Sequence, residues 1–331
     1  MESIELRDLA VSRPRRDLCS QPVPTVELGD WDEVHALTGT TTIPPVLCLS
    51  GHGTDPASDQ GEVRVARGVF REQDAVANTL AVPRWLPGEV PDPDARVGVV
   101  GVRGDAPGFV MVTQRESRDP ADLRVSVSED CGEFTPSSPL MLEGFDAALR
   151  RGLGSEDVVS VTPLGISSPV DEGVFLWLLR LGGSDEFVLT CRLDPDGKTC
   201  ALRGDPVVLN ADRVAPPLVT AIPGGRVWAL LEARSSNAGG QLRLLNRDGS
   251  RVDITMRNRG LILDGASQVG LFDRYIHQGV AWVYPDVVPD PGATASQTRP
   301  GWIVYTAGED AASPRQVGMA RLDLIVGALE P

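Results

Sequence analysis

The sequence predicts an all-β protein, a β-propeller of five or six four-stranded blades with five favoured. Three observations carry this. Long helical periodicity is nearly absent. Short runs rich in Val, Leu, Ile and Trp recur along the 331 residues, punctuated by Gly, Pro, Asp and Asn. These runs group into units that repeat every 50 to 60 residues.

The runs include PPVLCLS (44–50), EVRVAR, RVGVVGV (96–102), FVMVTQ, LRVSVS, VFLWLLRL, FVLTCRL, RVWALLEA, QLRLLN, VAWVYP and GWIVYT. The repeat is clearest when residues 173–202 are laid over 225–254. Gly173 then falls on Gly225, Leu178-Leu179 on Leu230-Leu231, Leu193 on Leu245 and Asp196-Gly197 on Asp248-Gly249, at a constant offset of 52 residues. Each unit reads strand, loop, strand, Asp-Gly turn, strand, and each follows a further strand at 157–164 or 216–222. A looser unit contains QVGLFDR, QGVAWVYPD, PGWIVYTAGED and RQVGMARLDL. First strands are thus expected near residues 44, 96, 157, 216 and 268. A four-stranded unit cannot bury both of its faces alone, and stacking neighbours around a ring does so.

The stretch Leu193–Gly197 followed by Gly204–Leu209 resembles the blade repeats of bacterial β-propeller proteins, best over 150–330. The resemblance implies fold and says little of activity, because propellers host enzymes, lectins and scaffolds alike. An N-terminal strand, SIELRDL or PTVEL, is expected to close the ring. The expected division is an arm or closing strand over 1–40 and a propeller over 41–331. Two short helices are the best helical candidates, at 71–81 and 143–153.

Composition narrows function. A hydrophobic content of 41% is enough for a core, while a net charge of −15 disfavours nucleic acid and anionic membrane surfaces as partners. No apolar h-region opens the chain and no apolar run reaches transmembrane length, so a cytoplasmic location is expected. Five cysteines at 19, 48, 131, 191 and 200 do not resemble a disulfide framework.

CRLDPDGKTCAL (191–202) offers a disulfide, a calcium loop, a phosphate loop or a hairpin. The calcium reading fails because Lys198 and Thr199 stand where an acidic ligand and glycine belong. The phosphate loop fails because Arg192 stands where its first glycine belongs. A three-residue hairpin loop with Asp194 opposite Lys198 remains. It pairs Cys191 with Ala201 and Cys200 with Arg192, which turns the cysteines to opposite faces and argues against a disulfide.

SGHG (50–53) after a hydrophobic strand resembles the histidine loop of caspase-like cysteine peptidases, implying a dyad of His52 and Cys131. Glu129 stands where those families carry aspartate. The three histidines, 35, 52 and 277, have no metal-ligand spacing, and no metal or other cofactor is expected. Glycosidase chemistry needs two facing carboxylates, and Asp105 and Asp273 stand where channel-mouth acids would be. With Arg103, Arg274 and His277 they form the expected ligand-binding set. Trp177, Trp228 and Trp282 are read as packing between blades rather than as sugar platforms. RGD at 103–105 and 203–205 is read as two turns after strands. With no catalytic set standing out, the expected function is a noncatalytic scaffold that binds another protein, supported by Pro-rich loops at 83–96 and 285–301. Glycan or small-ligand binding in the central channel and the peptidase are the alternatives.

Overall fold

The computed structural model describes residues 2–6, 31–40, 42, 45–54, 61–70, 83–103, 107–115 and 122–144. From residue 158 onward it describes the strands named below, with 194, 197 and 198. Every regular element among them is a strand, and the strands form five sheets. The first sheet holds β2 (Glu33–Gly39), β3 (Val46–Thr54), β4 (Gly61–Val69) and β5 (Arg84–Gly88), in that order. The second holds β6 (Val97–Val102), β7 (Phe109–Gln114), β8 (Leu123–Ser128) and β9 (Ser138–Pro139). In the third, β11 (Val158–Pro163), β12 (Val174–Leu181), β13 (Glu186–Leu193) and β14 (Thr199–Val208) are joined at the outer edge by β10 (Met141–Glu143), parallel to β14. The fourth holds β15 (Leu218–Ala221), β16 (Val227–Ala233), β17 (Gly240–Asn246) and β18 (Leu261–Leu263). The fifth takes β19 (Tyr275–Val283), β20 (Ser296–Gly308) and β21 (Gln316–Ala328) and completes itself with β1 (Glu2–Leu6).

Each sheet runs in chain order from its first strand outward. The first strands lie against one another, β2 beside β6, β15 and β19, and β6 beside β11. They therefore form the inner side of a five-bladed propeller, as the repeat predicts. β1 pairs antiparallel with β21, Glu2 opposite Ala328 and Leu6 opposite Leu324, so of the two N-terminal segments expected to close the ring the first joins the last sheet. PTVEL and both helical candidates, apart from Glu143 in β10 and Gly144 after it, lie outside the described residues.

Packing explains why the sequence alternates so weakly in the second sheet. All six residues of β7, FVMVTQ, are buried, because this blade is covered on both faces by its neighbours. Its Phe109, Met111 and Val112 join one core with Val63 and Val65 of the first sheet and with Cys191 and Cys200 of the third.

Several expectations need correction. PPVLCLS forms β3, the second strand of its sheet. The first strand is β2, at 33–39, which pairs with β3 across residue 40. A histidine and two polar ends hide β2 from a search for apolar runs. In the last blade the first strand is β19, so Trp282 belongs to an inner strand, opposite Trp302, whereas Trp177 and Trp228 sit in second strands. That unit needs only three strands of its own because β1 supplies the fourth. QVGLFDR lies outside the described residues. The second RGD lies inside β14, and the start of the Pro-rich segment at 83–96 forms β5, an edge strand that tolerates Pro87.

Four of the five cysteines form disulfides, Cys48 with Cys131 and Cys191 with Cys200, with Cα atoms 5.7 and 5.5 Å apart. The hairpin expectation errs by one residue. Asp194 N–H donates to the Thr199 carbonyl, and Gly197, at φ 69°, donates its N–H to the Asp194 carbonyl. Lys198 thus belongs to the loop, Leu193 faces Cys200, and Cys191 shares their face. A slip of one residue reverses every side chain, and here it turns two separated thiols into a bonded pair.

Candidate functional site

The first blade carries a polar cluster where its inner strand begins. β2 and β3 form a hairpin that sets Glu33 opposite His52 and Val34 opposite Gly51, after which the register shifts and Ala36 faces Ser50. His35 sits in that bulge, without a partner on β3. Its ring lies beside His52, centroids 6.3 Å apart and planes 26° from parallel. His35 Nδ1 lies 3.2 Å from the Gly98 carbonyl oxygen on β6, and Nε2 lies 3.4 Å from Glu33 Oε2. The cluster therefore spans two blades.

Burial differs sharply within it. The His35 side chain is 10% exposed while that of Glu33 is 43% exposed, so the carboxylate faces solvent and the imidazole stands behind it. Burial, and after it the neighbouring His35, push the His52 imidazole below its ordinary value; Glu33 and Asp32 oppose this, and Arg64 adds to it. Arg64 is itself paired with Glu62, 2.8 Å away. On the other face of the hairpin, Trp31 is 2% exposed and covers Gly51. A Cβ at Gly51 would lie 2.8 Å from the Trp31 ring and press on the Glu33 carbonyl.

The joint between the first two blades is braced beneath this cluster. Cys48 on β3 is bonded to Cys131, which follows β8 in a tight turn. Cys131 N–H donates to Ser128 Oγ and Gly132 N–H to Asp130 Oδ1, while Arg67 on β4 pairs with Asp130. Val63 N–H donates to the Pro93 carbonyl and Glu89 N–H to that of Gly132. A second brace joins Asp92 to Arg115 and to Thr113. Burial alone would raise the Asp92 carboxyl; hydrogen bonds from Ser137 and Arg115, with the Arg115 charge, outweigh it and hold the group below its usual range.

The expected peptidase dyad is not formed. Cys131 has no thiol because its sulfur is bonded to Cys48. His52 stands four residues from Cys48 along β3, roughly 13 Å at strand rise. Of the expected ligand-binding set, Arg103 follows β6, five residues beyond Gly98 and roughly 16 Å from the His35 contact. Asp105, Asp273 and Arg274 lie outside the described residues. His277 lies in β19, which packs beside β2, at a register break between Ile276 and Gln278. His35 and His277 therefore hold corresponding bulge positions on adjacent inner strands. Sequence reasoning missed Glu33 and weighed His35 only as a metal ligand. The available signal was the hairpin register that brings residues 33 and 52 together.

No protein-family model matches the sequence, and no curated protein matches it. Solved structures do share the fold. The α-L-arabinofuranosidase PaAbf62A from Podospora anserina, solved in complex with cellotriose, is similar over 92% of this chain and 96% of its own, at 11% identity and a TM-score of 0.52. A GH43_1 enzyme from Xanthomonas citri complexed with xylotriose is similar over 95% and 93%, at 10% identity and a TM-score of 0.51. The resemblance to propeller proteins thus holds at the level of fold. The expectation of a noncatalytic assembly scaffold is overturned by these neighbours. It rested on the ring as a docking surface, whereas the two neighbours named are enzymes, each solved in complex with an oligosaccharide.

Proposed function

We propose that the protein binds an oligosaccharide at the inner end of its first blade, with Glu33 as the hydroxyl-binding carboxylate and His35 and His52 behind it. One observation carries the reading: a half-exposed carboxylate held against His35, whose ring stacks beside His52, at the start of an innermost strand. Ionised carboxylates accept strong hydrogen bonds from sugar hydroxyls. The oligosaccharides held by the two neighbours of the same fold support the choice of ligand class.

The test is calorimetric titration with cellotriose, xylotriose and arabinose-substituted xylan fragments. The expected result is saturable binding to at least one of them, weakened tenfold or more in Glu33→Gln. No binding at millimolar concentration across the panel refutes the reading.

Hydrolysis is the second reading, favoured by the hydrolase neighbours. It requires a second carboxylate about 5 to 9 Å from the first. Asp32, next to Glu33, is the nearest acid in the chain, and release of reducing sugar by wild type but not by Glu33→Gln would establish it. The two disulfides also lead us to propose an oxidising compartment in place of the cytoplasm, since reducing compartments keep such thiols unpaired.

A further inference from the structure

We infer that Gly61 is a positioning residue for His52: by lacking a side chain it lets the imidazole lie across the open end of β4, where His52 joins Glu33 in binding adjacent hydroxyls of a neutral sugar. The inference deepens the glycan reading and rests on it for the ligand, but the placement of His52 is tested without one. It starts from register. Glu33 on β2 is directly opposite His52 on β3, and His52 is directly opposite Val63 on β4. Directly opposed residues share a face, with Cβ atoms about 5 Å apart. Gly61, opposite Thr54, is the diagonal neighbour of His52 on that face. Toward the core the face is closed by Ser50, Val63 and Val65, all buried. Its other end is open, with Gly61 exposed and the Glu33 carboxylate half-exposed. The ring takes the open direction. A Cβ on Gly61 would lie 1.9 Å from His52 Cε1, 2.7 Å from Nδ1 and 2.9 Å from Nε2. The nitrogen-bearing edge of the imidazole thus fills the space that a side chain at residue 61 would take.

The chemistry of the ring suits a hydroxyl. Among the described residues none hydrogen-bonds to the His52 imidazole, which stacks beside that of His35. Burial and then His35 hold it below its ordinary value, with Arg64 on β4 acting the same way and Glu33 and Asp32 opposing, so at neutral pH it is uncharged. A neutral imidazole offers one donor and one acceptor, whereas an ionised carboxylate only accepts. Adjacent sugar hydroxyls, each able to give and to receive, match that pair. Glu33 and the neighbouring Asp32 set negative charge at the same end, which disfavours a sugar that carries a carboxylate of its own. Arg64 does not reverse this, because it is paired with Glu62. Gly61 has no positive φ, and the group a methyl would meet there is the end of a side chain that can swing away. Alanine at residue 61 therefore moves the imidazole and leaves the sheet as it is.

The experiment pairs a spectrum with a double-variant cycle on the intact protein. Long-range 1H–15N spectra of protein labelled on histidine nitrogen, assigned with His52→Gln, are followed through a pH titration. In wild type the His52 ring should titrate below an ordinary histidine. In Gly61→Ala its signals should move and its titration should return toward the ordinary value, with Tm unchanged. A His52 ring whose signals and titration are the same in both proteins overturns the placement. Calorimetry then uses whichever of cellotriose, xylotriose and arabinose-substituted xylan fragments wild type binds best. Affinity should fall about fivefold or more in His52→Ala and in Gly61→Ala, and the double variant should bind like His52→Ala alone. No loss in Gly61→Ala, or a loss that repeats in full without the imidazole, overturns the positioning role. Trigalacturonate should bind at least about tenfold more weakly than the neutral sugar, and equal or tighter binding overturns the neutral-sugar assignment. If no sugar binds wild type, the glycan reading and the ligand role of His52 fall together, and the spectra still decide the placement.

Discussion

Breaking the Cys48–Cys131 bond should be the most destabilising single covalent change available in the described part of the molecule. The bond spans 83 residues of sequence and ties the second strand of one blade to the turn after the third strand of the next. In the chain-entropy treatment, a loop of that length removes about 4.5 kcal/mol of unfolded-state freedom, against about 2.6 kcal/mol for the 9-residue separation of Cys191–Cys200. For 331 residues the unfolding entropy near the midpoint is about 0.7 kcal/mol/K, so losing the first bond should lower Tm by about 6 °C. The assay is thermal unfolding of Cys48→Ala/Cys131→Ala beside wild type, with thiols counted by alkylation and mass spectrometry. Alanine is preferred to serine because both positions are 0% exposed and a hydroxyl there would go unpaired. Cys131 also sits at φ 68°, a left-handed conformation costing a non-glycine residue about 1–2 kcal/mol. Cys48→Ala/Cys131→Gly should therefore recover part of the loss. A double-alanine variant melting within 2 °C of wild type, or alkylation of Cys48 and Cys131 in the untreated protein, would refute the reasoning.

Asp92 should give stability an acid limb. Its carboxyl is held below the ordinary aspartate range in the folded state, so its contribution is complete above the unfolded value and is lost as pH falls through the folded one. Asp92→Asn should lack that component in denaturant midpoints measured from neutral pH down. Gly197→Ala meets nothing within 4 Å, so only the cost of a positive φ remains, about 1 kcal/mol by chemical denaturation. Gly51→Ala forces Trp31 and the Glu33 backbone apart and should cost about 1–3 kcal/mol, with weaker oligosaccharide binding because Glu33 moves.

The blade repeat was legible because second and third strands are the most apolar of each unit, and they aligned at one offset without gaps. Inner strands were harder to find. β2 carries Glu33 and His35, the polar cluster of the proposed site, and polar residues there break the apolar pattern that marks the other strands. The Cys191–Cys200 disulfide was lost through a single loop residue, Lys198, since a sequence gives the turn but not the conformation of the residue after its glycine. The site was illegible for a related reason. Residues 33, 35, 52 and 98 meet only through a hairpin, a bulge and a contact between blades, none of which leaves a local spacing.

The pairing of β1 with β21 has a consequence for how the molecule is made. Glu2–Leu6 is synthesised before every other strand described, and its partner emerges after all of them. Until then the last sheet ends at β20, and the five-residue β1 waits without its partner. The two glutamates of ESIEL discourage that strand from pairing with another copy in the interval. The fifth blade can therefore gain its fourth strand only after β21 has been made.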